Sequence, residues 1–450
     1  MRMQKPRAAT PLRRSLVVLG GVWVCMLALG GLLNPDDDTW FAILTVVSIG
    51  LSAYLVAGAG WMSLALIASF ALRIVVLWID LYTDIPVFSS GGDTENYYMT
   101  ALLVYAQPEL FGANLYGGLF PQLCGALFWV IGPSRIFIQY TNVLLSVAAL
   151  ALTGASMVEL KVPVRIARGV LLVVGLMPIG ASIAAIFLRE ALIVFLLAAA
   201  TFAFCRWLRG GSILTIALAL ALVAAASTFH LGALGAAVGM GFALLFFDRR
   251  TARVSFSISS LLRGVPVIGV AVFVIAAFPS LFLEKLEGVS SAEDALAIAT
   301  GSFGASAYLT NLTVDSPGSF LAFGGLKALY LLISPVPLDW RGANDVISFA
   351  LDGAFFLVAI LIVVSALVGR VRDVRRRYLA VVAATAVSTV LVLGMGTSAA
   401  GTAMRHREKA LPVIALSVGL ALSVRQQRKG VVENLPLPTD KQETVNVRLD

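Results

Sequence analysis

Apolar runs of about 20 residues recur from one end of the chain to the other, separated by short polar stretches. Each run is long enough to cross the roughly 30 Å hydrocarbon core of a bilayer as a helix. None shows the strict alternation of a barrel strand. The runs fall near 16–33, 40–58, 61–80, 117–131, 136–157, 166–184, 190–208, 213–229, 232–247, 264–283, 346–368, 378–395 and 408–424. They predict an all-α fold, a polytopic transmembrane helical bundle of about 12–13 spans with external amphipathic or re-entrant helices. Residues 1–430 read as one transmembrane domain with external stretches at 81–116, 284–345 and 395–407. Residues 431–450 are polar and aperiodic and read as a disordered cytoplasmic tail.

Composition agrees with the pattern. The 450 residues are 59% hydrophobic and 13% charged, against about 25% charged in soluble domains. The net charge of +8 is no nucleic-acid signal, because the basic residues cluster at the ends of apolar runs. Cys25, Cys124 and Cys205 lie inside apolar runs, far apart, and form neither a disulfide framework nor a metal knuckle. Lys5, Arg7, Arg13 and Arg14 before the first run resemble a signal peptide. No small-residue cleavage site follows, so the run reads as an uncleaved span.

The basic residues also orient the runs. Arg206 and Arg209, Arg249, Arg250 and Arg253, Arg370 to Arg377, and Arg425, Arg428 and Lys429 come out cytoplasmic. The stretches 284–345 and 395–407 and the turn at His230 are then external. Lys161, Arg165 and Arg168 belong with the cytoplasmic group, as does the N-terminus. Five full crossings between them are an odd number, so one early run is not a full crossing. The short run 117–131, opening on Gly117-Gly118, is the one expected to fall short.

The first long polar and aromatic stretch is Gly91-Gly92-Asp93-Thr94-Glu95-Asn96-Tyr97-Tyr98, continuing to Pro121-Gln122. Tyr97, Ala101 and Tyr105 recur at i, i+4 spacing, which predicts a short amphipathic helix lying on the bilayer surface. Asp93 at its start carries two readings, a reactive carboxylate or a helix N-cap. The Asp93-x-Glu95 pair also has the ligand chemistry for a divalent cation.

Charges inside apolar runs are costly and mark sites. Arg189-Glu190 opens the run after Pro178-Ile179-Gly180, and reads as a headgroup-level pair or as a binder of a charged substrate group. Arg73 snorkels or pairs internally, and Asp352 is its candidate partner or a helix-start charge. Residues 319–334 form an apolar piece that contains Lys327 and ends at Pro335, and Trp340-Arg341 follows as an interface anchor or a binding group. Arg405-His406-Arg407 follows a run of small residues on the external side, against the positive-inside trend. Its arginines suit bidentate phosphate binding. The sequon Asn311-Leu312-Thr313 is a weak signal.

In these residues the chain resembles the GT-C type of polytopic bacterial membrane glycosyltransferases, including polysaccharide repeat-unit polymerase-like relatives. The resemblance rests on Asp93-Thr94-Glu95 in the first large external stretch and on Tyr116-Gly117-Gly118-Leu119-Phe120-Pro121. It extends to Pro178 leading to Glu190, and to Arg405-His406-Arg407 followed by Pro412. It implies sugar transfer from a polyprenyl-phosphate or -diphosphate donor to a glycan or lipid-linked acceptor on the external face of the plasma membrane, in surface polysaccharide assembly. Asp93 and Glu95 would be the catalytic acids, with Asp93 the base. Arg189, Glu190, His230, Lys327, Arg341, Arg405, His406 and Arg407 would bind substrate, with Arg405 or Arg407 on the donor phosphate. The competing reading is a transporter or flippase of lipid-linked sugars, which needs the arginines but no base. The absence of an internal repeat argues against it.

Overall fold

The structure, a computed structural model, describes residues 9–83, 85, 92–248, 253–254, 307–309, 317–368, 374–397 and 399–433, with single positions between 258 and 269. The run 264–283 falls mostly outside these residues, and the sequon at 311–313 and the tail from 434 fall wholly outside them.

The chain is an all-α polytopic bundle. Its helices are α1 Ala9–Leu33, α2 Asp37–Gly58, α3 Ser63–Tyr82, α4 Asp93–Ala106, α5 Leu119–Ile131, α6 Arg135–Glu159, α7 Val164–Gly175 and α8 Pro178–Ala185. There follow α9 Glu190–Leu208, α10 Ile213–Phe229, α11 Leu234–Phe246, α12 Pro317–Ile333, α13 Ala343–Ser348, α14 Ala354–Val368, α15 Val374–Met395 and α16 Ala400–Glu433. A π-helical turn, Phe349–Gly353, joins α13 to α14. Among the described residues, the two short strands Phe247–Asp248 and Arg253–Val254 pair antiparallel. Among the described residues, eight helices are long and apolar enough to cross a membrane, so the chain is a multi-pass membrane protein. The run at 166–184 is the pair α7 and α8, bent by 62° at Leu176-Met177. α5 has 13 residues, about 20 Å at 1.5 Å each, too short for a full crossing as its sequence suggested.

α6 and α9 are the centre. Nearly all of α6 is buried, and α9 packs along it and against α10 and α16. Helices in lipid gain little from hydrophobic burial against each other, so close backbone approach matters more. Gly235 and Gly239 on α11 supply it. A methyl at Gly239 would stand 2.3 Å from the Thr385 Cα of α15, and one at Gly235 would stand 2.8 Å from the Thr389 Cα.

Two buried arginines close helix ends inside the bundle. Arg73 Nη1 donates to the Gly175 carbonyl at 2.9 Å, which the break after α7 would leave without a partner. Arg407 Nη1 donates to the Leu332 and Ser334 carbonyls at 3.2 and 2.7 Å, at the end of α12. Asp352, on the π-helical turn, lies 3.9 Å from Arg407 Nη2, so its cation is Arg407 and not Arg73.

Two sequence expectations change. α4 does not lie free on a surface: Tyr97 and Ala101 are buried, and α4 packs on α5, where Gly125 lets the Ala101 carbonyl approach. The stretch 395–407 is not all loop, because α16 begins at Ala400 and carries Arg405-His406-Arg407 on its second turn.

Candidate functional site

Four segments meet at one end of the bundle: the start of α4, the turn before α5, the entry to α9 and the first turns of α16. Asp93 is the first residue of α4, and Gly92 takes the cap position with no side-chain bond. The carboxylate turns to two donors instead. Arg405 Nη1 donates to Oδ2 at 2.5 Å, and the Tyr116 hydroxyl donates to Oδ1 at 2.5 Å. Burial works to raise the Asp93 pKa. The bonds from Tyr116 and Arg405, with the charges of Arg405 and Arg189, outweigh it and hold the carboxyl below its ordinary value. The same bond raises the Tyr116 phenol, and its burial adds to the rise.

Tyr116 is brought there by Gly117 and Gly118, at φ +84° and +69°. Only glycine takes such angles freely. A side chain on Gly117 would also strike the Tyr97 ring, 2.6 Å away. The bare Gly117 carbonyl accepts from Arg189 Nη1 at 3.3 Å, and the Arg189 guanidinium lies over Tyr97, 5.8 Å from the ring centre. Arg189 is aimed by Asn142, whose buried amide donates to the Ile186 and Leu188 carbonyls at 2.9 and 2.8 Å. These bonds hold the extended segment between α8 and α9.

Glu190, 1% exposed, opens α9. Arg405 Nε lies 3.4 Å from its carboxylate and Lys409 Nζ lies 3.8 Å from it. Arg405 and Lys409 share a face of α16 at i, i+4. Arg405 therefore bridges both carboxylates, whereas no carboxylate of the described residues lies within ion-pair distance of Arg189. Three cations (Arg189, Arg405, Lys409) face two carboxylates (Asp93, Glu190), and the site is net positive.

The histidines form a directed chain. The Gly232 N–H donates to His230 Nδ1 at 3.1 Å, so the His230 proton is on Nε2. His230 Nε2 lies 3.0 Å from His406 Nε2, which then accepts, and His406 Nδ1 donates to Thr397 Oγ1 at 2.8 Å. Thr397 Oγ1 in turn donates to the Leu393 carbonyl at 2.7 Å. Backbone groups at both ends fix the direction of every bond. Both nitrogens of each ring are already bonded, so the pair positions α16, where the sequence reading had both rings binding substrate directly.

Asp93, Tyr97, Asn114, Tyr116, Arg189, His230 and Arg405 line a cavity of about 490 Å³. Beside it an apolar groove of about 460 Å³ runs between α1, α5, α6 and α9, walled by Trp23, Phe120, Cys124, Leu127, Leu145 and Phe195. Gly118 lines the first and Phe120 the second, so the two spaces share the start of α5.

Four expected site residues lie elsewhere. Glu95 bonds Arg135 at 2.7 Å. Positions two apart on a helix point about 200° from each other, so Glu95 cannot follow Asp93 to Arg405. The same geometry sends Arg407 away from Arg405, to α12 and Asp352. Arg341 pairs at 3.0 Å with Asp345 of the short helix α13 that follows it. Lys327 is buried on α12 and does not line the cavity. The Asp93–Glu95 pair thus does not fit a divalent cation, and no group of three potential ligands gathers among the described residues. Sequence reasoning missed Lys409 and Thr397. The Arg405-x-x-x-Lys409 spacing would have shown the first, had the helix been started at Ala400.

Fold and site together define a multi-pass helical membrane protein with a net-positive polar cavity at one end of its bundle and an apolar groove alongside. Compared with family models, with curated proteins and with solved structures, the chain matches none significantly.

Proposed function

We propose that the chain is a GT-C-type membrane glycosyltransferase, moving a sugar from a polyprenyl-phosphate or -diphosphate donor to a glycan or lipid-linked acceptor in surface polysaccharide assembly. One observation carries the reading: the Asp93 carboxylate and the Arg189 guanidinium line a single polar cavity that adjoins an apolar groove. The groove suits an isoprenoid chain, and the cavity suits a sugar with its phosphate. Asp93, held ionised, accepts the proton of the acceptor hydroxyl as that oxygen bonds the anomeric carbon. Arg189 neutralises the phosphate that leaves with the bonding electrons. Arg405 is already engaged by two carboxylates, so it orients Asp93 and adds positive field, a narrower role than phosphate clamp. A repeat-unit polymerase would use the same groups.

Two helices support an external site. α9 opens at Glu190 in the site and ends beside Arg206 and Arg209, 19 residues and about 28 Å on. α16 runs from Arg405 to Arg425, about 30 Å. The site and the basic end are one hydrocarbon thickness apart. The positive-inside rule puts the basic end in the cytoplasm and the cavity on the external face of the plasma membrane.

A transporter of lipid-linked sugars is the second reading, favoured by the break between α7 and α8, since broken helices often form transport sites. Vesicles holding the purified protein and radiolabelled polyprenyl-phosphate sugars separate the two. Transfer of label to an added glycan or lipid-linked acceptor supports the enzyme. Movement of intact donor between leaflets, with no product, supports the transporter.

A further inference from the structure

At the basic end, α7, α14 and α16 enclose a groove of about 790 Å³, far from the sugar cavity. Its walls are apolar: Val170 and Val173 from α7, Phe355, Val358 and Ile362 from α14, Val418 and Leu422 from α16. These positions recur every three or four residues, so each helix offers one continuous stripe. Gly169 widens the groove, because nothing stands within 4 Å of where its side chain would be. The groove is charged at one end alone. Arg165, near the start of α7, and Arg425, near the end of α16, both line it there, with Gln426 beside them. Neither guanidinium has an ion-pair partner among the described residues. α7 also begins at this end with no side-chain cap, so its positive pole faces the same place.

We propose that this groove is a binding site for an anionic membrane phospholipid. The headgroup phosphate meets Arg165 and Arg425 at the level where headgroups lie, and an acyl chain follows the valine and phenylalanine stripes into the membrane. The charge pattern selects this occupant. A wholly apolar partner would leave two cations facing it, and a soluble anion would leave the apolar walls uncovered. Basic pockets between transmembrane helices recognise anionic headgroups in this way. A bound lipid would fill the space between α7 and α14, and so would brace α7, the half of the broken span at the basic end. The proposal stands apart from the sugar-transfer reading, since it uses no residue of that cavity.

Native mass spectrometry of the full chain in detergent, titrated with phosphatidylglycerol or phosphatidylcholine, tests it. The expected result is preferential retention of phosphatidylglycerol. Arg165→Gln with Arg425→Gln should lower that retention about 30-fold relative to phosphatidylcholine, from about 1 kcal/mol for each basic residue at a headgroup. Both arginines are exposed, so the variant keeps its fold. Gly169→Phe fills the apolar half, leaves both arginines in place and should also reduce retention. Equal retention of the two lipids, or phosphatidylglycerol binding unchanged in both variants, overturns the proposal. So does inorganic phosphate that binds as tightly as the lipid, since that would mark an anion site with no use for the groove.

Discussion

Arg405 and Asp93 stand 312 residues apart in the chain, yet Arg405 Nη1 reaches the Asp93 carboxylate at 2.5 Å while Nε of the same guanidinium lies 3.4 Å from Glu190. One side chain thus ties α4, α9 and α16 together. Removing a partner from a buried pair typically costs about 3–5 kcal/mol, because the other charge stays buried. Arg405→Gln should therefore lower the melting temperature in detergent markedly. Adding Asp93→Asn to it should recover part of the loss, since the carboxylate that Arg405 leaves without an ion-pair partner is then gone.

Asp93 sets an acid limb of stability. A carboxyl whose folded pKa lies below its unfolded value stabilises the fold above the unfolded value, and that contribution is lost as pH falls through the folded pKa. Asp93 is such a group, so stability holds at neutral pH and declines below the ordinary carboxylate value of 3.8. Tyr116→Phe removes one of its two donors, so the folded value moves back toward the ordinary one and the acid limb should become shallower. Asp93→Asn should remove this contribution to the limb. Melting curves across the acid range, with each variant against the parent, check the order.

The histidine chain makes a spectroscopic prediction. At neutral pH, ¹⁵N spectra should show His230 protonated on Nε2 and His406 on Nδ1, both neutral. Thr397→Val deletes the acceptor of the His406 proton and should disturb the His406 signals more than those of His230. An imidazolium signal from either ring in the parent protein would break the assignment.

Much of the helix layout was legible in the chain. The run at 190–208 is α9 to the residue, and 136–157 is α6 within two residues at each end. The short run at 117–131 was visible too. The start of α16 was not. Arg405, His406, Arg407, Glu408 and Lys409 in succession read as a polar exit from the membrane. They stay inside the bundle because Asp93, His230, Asp352 and Glu190 come from other helices to meet them. Those partners lie from 55 to 312 positions away, beyond the reach of any local pattern. Asp93, Arg189, Glu190 and Arg405 were legible one by one, as charges costly enough at a membrane edge to mark a site. Which arginine turns inward was not, since that depends on where the helix begins.

Sidedness is open to direct labelling. With Cys25, the exposed native thiol, replaced by serine, a single cysteine at Asn114 on the cavity wall should react with an impermeant reagent added outside intact cells. One at Arg209, at the basic end, should react only after permeabilisation. The reverse pattern would put the cavity in the cytoplasm.

Asp93 as the base of a sugar transfer stands or falls with Asp93→Asn. Asparagine keeps the size and one acceptor oxygen at the start of α4 but does not take up the proton. In vesicles supplied with a labelled polyprenyl-phosphate sugar and an acceptor, the measurement is donor binding and transfer side by side. The variant should bind donor within a few-fold of the parent, through Arg189 and the apolar groove, and transfer at least about 100-fold less. Transfer at the parental rate by Asp93→Asn, with donor bound normally, would contradict it.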